Sequence, residues 1–197
     1  MTEIVNTATK MFLTLGFKSV TMDDVAAKMG ISKKTIYKYF ENKEELIEAC
    51  VNHVHHEIRG KMTAIFELQK NAVEENFLIR DMFNDMFNTD GDSPVYQLKK
   101  HYPIIYERVR ERESNQCKEF FTANIIKGIA QGYYKENTSV EYAVLFYYML
   151  IFSINENFPS EKEVTKIELE ALKYHTYAIA TPKGIIELEK QLKNLNS

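Results

Sequence analysis

Residues 21–43 read Thr-Met-Asp-Asp-Val-Ala-Ala-Lys-Met-Gly-Ile-Ser-Lys-Lys-Thr-Ile-Tyr-Lys-Tyr-Phe-Glu-Asn-Lys and hold the side chains best suited to gripping a polyanion. Lys33, Lys34, Lys38 and Lys43 stand against Glu41 alone, so residues 33–43 are net +3 in a chain whose formal net charge is -3. With 25 Lys and Arg against 28 Asp and Glu, no global field draws nucleic acid, and any such site must be local. The spacing supplies the geometry. Ile36 and Phe40 lie four apart and pack back on Val25, Ala26 and Met29, which leaves Lys33, Lys34, Tyr37 and Lys38 projecting from the opposite side. Two short helices, Met22 to Met29 and Lys33 to Phe40, flank Gly30-Ile31-Ser32 and form a helix-turn-helix, whose second helix fits the major groove of DNA. Tyr37 and Tyr39 cannot both face inward beside Ile36 and Phe40, so at least one is exposed.

Other chemistries fare less well. His53, His55, His56 and Glu57 include pairs at three- and four-residue helical spacing, but a zinc site needs three or four protein ligands and only Cys50 lies near them in sequence. The group reads as a pH-sensitive surface cluster, and neither metal nor cofactor is expected. Cys50 and Cys117 read as small buried hydrophobes, because neither has a resolving cysteine beside it. No nucleophile elbow, phosphate loop or zinc-protease motif is present, and His101 and His175 fall into no catalytic grouping, so enzymatic activity is not expected.

The elements that must position residues 21–43 are helical. In 197 residues, seven Gly and four Pro are too few for a many-stranded sandwich, and 45% hydrophobic residues suffice for a sizeable core. Helix-start signals recur at Thr21/Asp24, Asn42/Glu45, Thr138/Glu141 and Ser160/Glu163, with Ser93-Pro94 and Thr181-Pro182 as two more. The helices expected are Thr2 to Leu15 ending at Gly16, the pair above, and a long one from Lys43 toward Lys70, in which Gly60 implies a bend or close packing. Glu74 to Asn88, Pro94 to Tyr102, Pro103 to Gln131 with a break near Ser114-Asn115, Ser139 to Asn155, Glu161 to Ala180 and Pro182 to Leu195 follow. The chain is thus expected to be all-α, with a three-helix helix-turn-helix domain at 1–45 and a larger helical domain at 46–197. The apolar stretch Ala143 to Ile154 is too short to span a membrane, and the N-terminus lacks the regions of a signal peptide, which together predict a cytoplasmic protein.

Residues 139–155 are apolar nearly all round, and a monomer would expose part of that surface as a contiguous patch. Phe152 on this helix, with Val164, Ile167, Ala171, Tyr174 and Ala178 at three-four spacing on the next, are the expected interface of a symmetric homodimer.

The run from Gly16-Phe17 through Thr21, Val25-Ala26, Gly30-Ile31-Ser32, Thr35-Ile36-Tyr37-Lys38-Tyr39-Phe40 and Lys43-Glu44-Glu45-Leu46 resembles the DNA-binding domain of TetR-type (tetracycline-repressor-like) regulators. The resemblance covers about the first 50 residues; beyond them only length, helicity and a Thr-Pro-Lys-Gly start to the last helix agree. It implies a dimeric regulator, most naturally a repressor of transcription, binding a palindromic double-stranded operator and released by a small-molecule effector held in the C-terminal domain. Carried onto this sequence, it places Lys33, Lys34, Thr35 and Lys38 near base edges or flanking phosphates and Thr21, Tyr37, Tyr39 and Lys43 on the backbone. Met86, Tyr102, Tyr106, Phe121 and Phe146 are the candidate lining of an effector pocket, the effector being apolar or aromatic. Asp23-Asp24 departs from the basic residue that family members often carry there. That departure leaves open a second reading, a helical ligand-binding or interaction protein that has lost DNA binding.

Overall fold

The computed structural model describes residues 1–87 and 91–195, the side chains of 112–116 excepted. Among the described residues the chain forms ten helices and no strand: α1 (Thr2–Leu15), α2 (Met22–Met29), α3 (Lys33–Tyr37), α4 (Lys43–Glu67), α5 (Ala72–Phe87), α6 (Pro94–His101), α7 (Pro103–Ala130), α8 (Val140–Asn157), α9 (Glu161–Ile179) and α10 (Pro182–Asn194).

Local chemistry sets most of the boundaries. Gly16 ends α1 at φ 86° and Gly30 ends α2 at φ 66°, backbone angles that a residue with a Cβ adopts only with strain. Thr21, Ser32, Asn42 and Thr181 accept hydrogen bonds from backbone amides at the starts of α2, α3, α4 and α10. Asn71 does the same for Glu74 at the start of α5, a cap absent from the expected set.

Several expectations shift. The cap of α8 is Ser139, accepting from the Tyr142 amide, rather than Thr138. Ser160 and Ser93 precede their helices without a side-chain cap bond. α7 runs unbroken through residues 114–115. Gly60 lies in an exposed turn of α4 with nothing within 4 Å of the Cβ position, so no close packing requires it there. The expected end of the fifth helix at Asn88 lies outside the described residues. α3 stops at Tyr37, short of the expected Phe40. Its last carbonyls are used early, the amides of Tyr39 and Phe40 both turning onto the Ile36 carbonyl, because Asn42 must already be extended (φ −152°) to cap α4.

Two main cores result. The first joins Ala8 and Phe12 of α1, Val25 and Ala26 of α2, Ile36, Phe40, and Leu46, Ile47 and Cys50 of α4. It continues without a break into Leu98 of α6 and Ile105, Tyr106 and Val109 of α7, so apolar packing crosses residue 45 instead of ending there. The second lies within the C-terminal body, where Val73, Phe77, Ile125, Tyr134, Val144, Leu172 and Leu188 come together from α5, α7, α8, α9, α10 and the α7–α8 connection. Glycine makes that core possible at Gly184, whose Cβ would lie 2.1 Å from the Tyr133 carbonyl oxygen. That oxygen already accepts from the Thr181 amide and hydroxyl, so it is not free to retreat.

Gly184→Ala should therefore lose about 1–3 kcal/mol of stability or more through overpacking. Gly60→Ala, in open space mid-helix, should gain about 0.5–1 kcal/mol. Urea denaturation of the two variants beside the wild type checks both signs.

Candidate nucleic-acid interface

The helix-turn-helix is assembled by short-range hydrogen bonds around a buried plug. Thr21 and Asp24 form a reciprocal box, with the Asp24 amide donating to Thr21 Oγ1 (3.1 Å) and the Thr21 amide donating to Asp24 Oδ2 (2.8 Å). The Thr21 hydroxyl and amide bonds hold the Asp24 carboxyl below its ordinary range. Across the turn, Ser32 Oγ accepts from the Thr35 amide (3.1 Å) and its hydroxyl meets that of Thr35 at 2.9 Å. Ile36, fully buried, presses α3 onto the first core.

The outer side carries Lys34, Tyr37, Lys38 and Tyr39, all exposed; Tyr37 and Tyr39 keep 51% and 48% of their surface in water. Thr35 is half-buried at the base of this face. Three of the expected contact residues are held by the protein itself. Lys33 is exposed but its Nζ pairs with Asp23 of α2. Lys43 Nζ donates to the Lys18 carbonyl (3.2 Å) and stands 5.9 Å from the centroid of the Tyr102 ring. Thr21 is the α2 cap. Of these, the Asp23–Lys33 pair ties α3 to α2, Thr21 fixes the start of α2 and Lys43 reaches the connection after α1. The Asp23–Lys33 pair spans ten residues and two helices, so no local pattern announces it.

A further residue absent from the sequence reading fastens this unit to the body. Gln97 of α6 accepts from the Phe17 amide (3.1 Å), just after the Gly16 turn, and donates through Nε2 to the Asp92 carbonyl (2.8 Å). Arg108 of α7 reaches Glu48 of α4 at 2.6 Å.

Residues 4–50 match the family model described as "Bacterial regulatory proteins, tetR family". Among curated relatives, the HTH-type transcriptional regulator YuxN of Bacillus subtilis is 28% identical over 119 residues, covering 59% of this chain and 33% of that protein. YhgD of the same organism is 39% identical over 64 residues, 32% of this chain and 34% of that protein. The chain thus spans about a third of the length of these two relatives. Among solved structures, a transcriptional regulator from Cytophaga hutchinsonii superposes with TM-score 0.73 at 20% identity, over 90% of this chain and 97% of that one. SCO4454, a TetR-family regulator from Streptomyces coelicolor, gives 0.67 at 15% identity over 90% and 88%.

Residues 4–50 thus form the DNA-binding unit of the tetR family of bacterial regulatory proteins. The fold is shared with solved TetR-family regulators, an N-terminal helix-turn-helix unit on a helical C-terminal body, as expected.

In the structure the five candidate pocket residues do not meet. Tyr102 and Tyr106 pack with the N-terminal core, and the Tyr106 hydroxyl donates to Glu156, which also holds Lys99 at 2.8 Å. Met86 faces a groove against α1 and α4. Phe146 is 60% exposed and stacks on Tyr142. Phe121 alone lines the interior cavity, with Asn76, Asn124, Ile125, Val144, Tyr147 and His175; its volume is about 10 Å³, room for a single water. Beside it, Glu75 is wholly buried, paired with Lys127 and accepting from Asn124 Nδ2 at 3.1 Å. The aromatic content of the sequence masked this polar interior.

The six expected interface residues divide similarly. Val164 and Ala171 are buried inside the chain with Ile154, and Ile167 packs against them. Phe152 is half-buried, its ring 4.2 Å from that of Tyr148. Tyr174 and Ala178 face outward.

His175 stacks on Tyr147 at 4.5 Å, and burial pushes its imidazole down to about 4. The unfolded chain then binds this proton more readily than the folded one. Stability contributed above the ordinary value of 6.5 is lost as pH falls toward 4, by up to about 3 kcal/mol. Urea unfolding between about pH 7.5 and pH 4.5 should show a smaller acid-side loss in His175→Phe than in the wild type; equal losses would refute the assignment.

Proposed function

We propose that this protein is a transcriptional regulator, acting as a repressor, that binds a palindromic duplex operator as a homodimer and is released by a small molecule. The observation that carries the DNA reading is the α3 face. Lys34, Tyr37, Lys38 and Tyr39 stand exposed on a helix whose other side is locked by Ile36, so the cationic surface is rigid and solvent-facing before DNA arrives. Lys34 and Thr35 are the residues proposed to read bases, with Lys38, Tyr37 and Tyr39 on phosphates. Lys33 joins them by exchanging Asp23 for phosphate, at small cost because an exposed pair is worth about 0–1 kcal/mol.

The dimer reading rests on a surface different from the expected stripe. Tyr142, Leu145, Phe146, Met149 and Leu150 of α8 are exposed together with Tyr174 and Tyr177 of α9. Such a run of large apolar side chains on two adjacent helices is an interface in search of a partner, and a second copy supplies the same run across a two-fold axis. Phe146 therefore moves from the proposed pocket to the proposed interface, and Val164 and Ala171 leave it.

An effector entering at Phe121 meets Asn76, Asn124, Tyr147 and His175 as well as Ile125 and Val144. It is thus proposed to be an aromatic or apolar molecule with polar groups at its edge. Ligand sites run to about 300–1,000 Å³, so the helices around this small cavity must part to admit it, which is how binding would alter the spacing of the two recognition helices.

Fluorescence anisotropy with operator fragments selected from random duplexes tests the reading. The Lys33/Lys34/Lys38 triple alanine variant should lose specific binding, Lys34→Ala should also change the preferred sequence, and Asp23→Asn should steepen the salt dependence by up to about one unit by freeing Lys33. Unchanged affinity in the triple variant would overturn it. A ligand that raises the melting temperature should weaken binding in the same assay, by linkage.

Phe146→Glu with Met149→Glu should convert a dimer into a chain of 23.0 kDa in light scattering and weaken operator binding. A wild type that already scatters as one chain at micromolar concentration would sink the dimer.

A further inference from the structure

An open groove lies away from the interior cavity, where the DNA-binding unit meets the body. Asn6, Thr9, Lys10 and Leu13 form one wall from α1, His53, Val54, Glu57 and Lys61 the facing wall from α4, and Met86 of α5 closes one side. The α1 residues are spaced three and four apart, and those of α4 one, four and eight from His53, so each set occupies a single helical face. The groove offers about 300 Å³, within the range of small-molecule sites and far above the interior cavity.

Its chemistry is uneven. Lys10 and Lys61 bring two ammonium groups, one on each long wall, and neither is held in an ion pair among the described residues. The single carboxylate, Glu57, lies 3.7 Å from His53 Nε2 on its own helix. Asn6 adds an amide, whereas the Thr9 hydroxyl oxygen is buried beside the Cys50 thiol and does not open into the groove. Leu13, Val54 and Met86 supply the apolar part of the lining. The histidines and Glu57 do not assemble a metal site, since no group of three or more His, Cys, Asp or Glu among the described residues is placed to hold an ion.

We propose that this groove binds a small amphipathic anion, its carboxylate or phosphate between Lys10 and Lys61 and its hydrocarbon part on Leu13, Val54 and Met86. Cations on both long walls and an apolar strip in one preformed space match a ligand with a charged head and a short tail. A cation would face two ammonium groups against a single carboxylate. This site differs from the effector cavity proposed above in place and in chemistry, and its occupant would tie α1 of the DNA-binding unit to α4 and α5.

The chain contains no tryptophan, so Met86→Trp introduces a unique reporter at the groove. Octanoate, octyl phosphate, 1-octanol and octylamine are titrated below their aggregation limits, without DNA, into this variant, with thermal shift of the wild type run in parallel in case the variant folds poorly. Saturable emission changes and a raised melting temperature are expected with one or both anions, with the alcohol and the amine at least tenfold weaker. Lys10→Gln with Lys61→Gln should weaken anion binding at least tenfold. No saturable response to either anion at millimolar concentration, equal binding of octylamine or 1-octanol, or affinity unchanged in the double variant would each overturn the proposal. DNA enters none of these readouts, so they stand or fall apart from the operator reading.

Discussion

The burial of Ile36 is the contact on which the rest of the recognition surface depends. Fully removing such a side chain from water is worth about 1.5–3 kcal/mol, whereas the surface ion pairs around it are worth about 0–1 kcal/mol each. The apolar plug therefore decides how α3 lies on α2, and the charged groups follow. Five residues are too short to hold a helix by propensity alone, and α3 exists because Ser32 caps it, Ile36 anchors it and Phe40 pulls the chain back into the core. Lys34, Tyr37 and Lys38 are left on the outer side as the geometric remainder. Their exposure carries little cost in the free protein, and their positive charge stays available to a phosphate backbone.

The same core explains why the N-terminal unit does not swing freely. Tyr106, Ile105 and Val109 of α7 and Leu98 of α6 are members of the cluster that contains Phe12 and Ile36. Gln97 adds directional bonds at the Gly16 turn, and the first residue beyond the turn, Phe17, stacks on Phe12 at 5.5 Å. From α7 the connection continues through the Tyr106 hydroxyl to Glu156 near the end of α8, the helix whose outer face is proposed to meet the partner. In such a dimer the recognition helices take their separation from a continuous packed path, and a displacement of α7 cannot leave α1 where it was. Dense packing transmits it because interiors have few voids to absorb it.

Much of this was legible along the chain, for reasons that differ by element. α1 and α2 carry their own punctuation, a glycine at each end position and a reciprocal threonine–aspartate cap, so local rules suffice. α3 was overextended by three residues because Phe40 fits the helical spacing of the apolar face, although it reaches the core from a turn. The family resemblance places Lys43 and Thr21 on the DNA backbone. In the free protein Thr21 is engaged by the Asp24 cap that local rules foretell, whereas only the fold brings Lys18 and Tyr102 to Lys43. The stripe Val164, Ile167, Ala171, Tyr174 and Ala178 shows how spacing can identify a face without identifying its neighbour. Its first three members are covered by α8 residues of the same chain, while Tyr174 and Ala178 lie on the part that is left open. The aromatic residues offered as a pocket lacked even a spacing rule, and the polar groups that line the interior, Asn76, Asn124 and His175, are scattered over a hundred positions.

The two cavities also divide the work that a ligand can do. A molecule entering the preformed groove between α1 and α4 finds its walls already in place, so it gains affinity without paying to move helices. For that reason it shifts a conformational equilibrium only insofar as the groove differs between the two forms. A molecule entering beside Phe121 has no such option. The space there holds about one water, and the stacked Tyr147 and His175 with the other lining side chains must part before anything larger fits. Affinity at the interior site is thus reduced by the cost of opening, and the same cost is the source of differential binding to the opened form. Release of DNA by a ligand requires that difference, since tight but equal binding to both forms moves nothing. Of the two proposed sites, the interior one is accordingly the better switch, and the groove between α1 and α4 the better clamp.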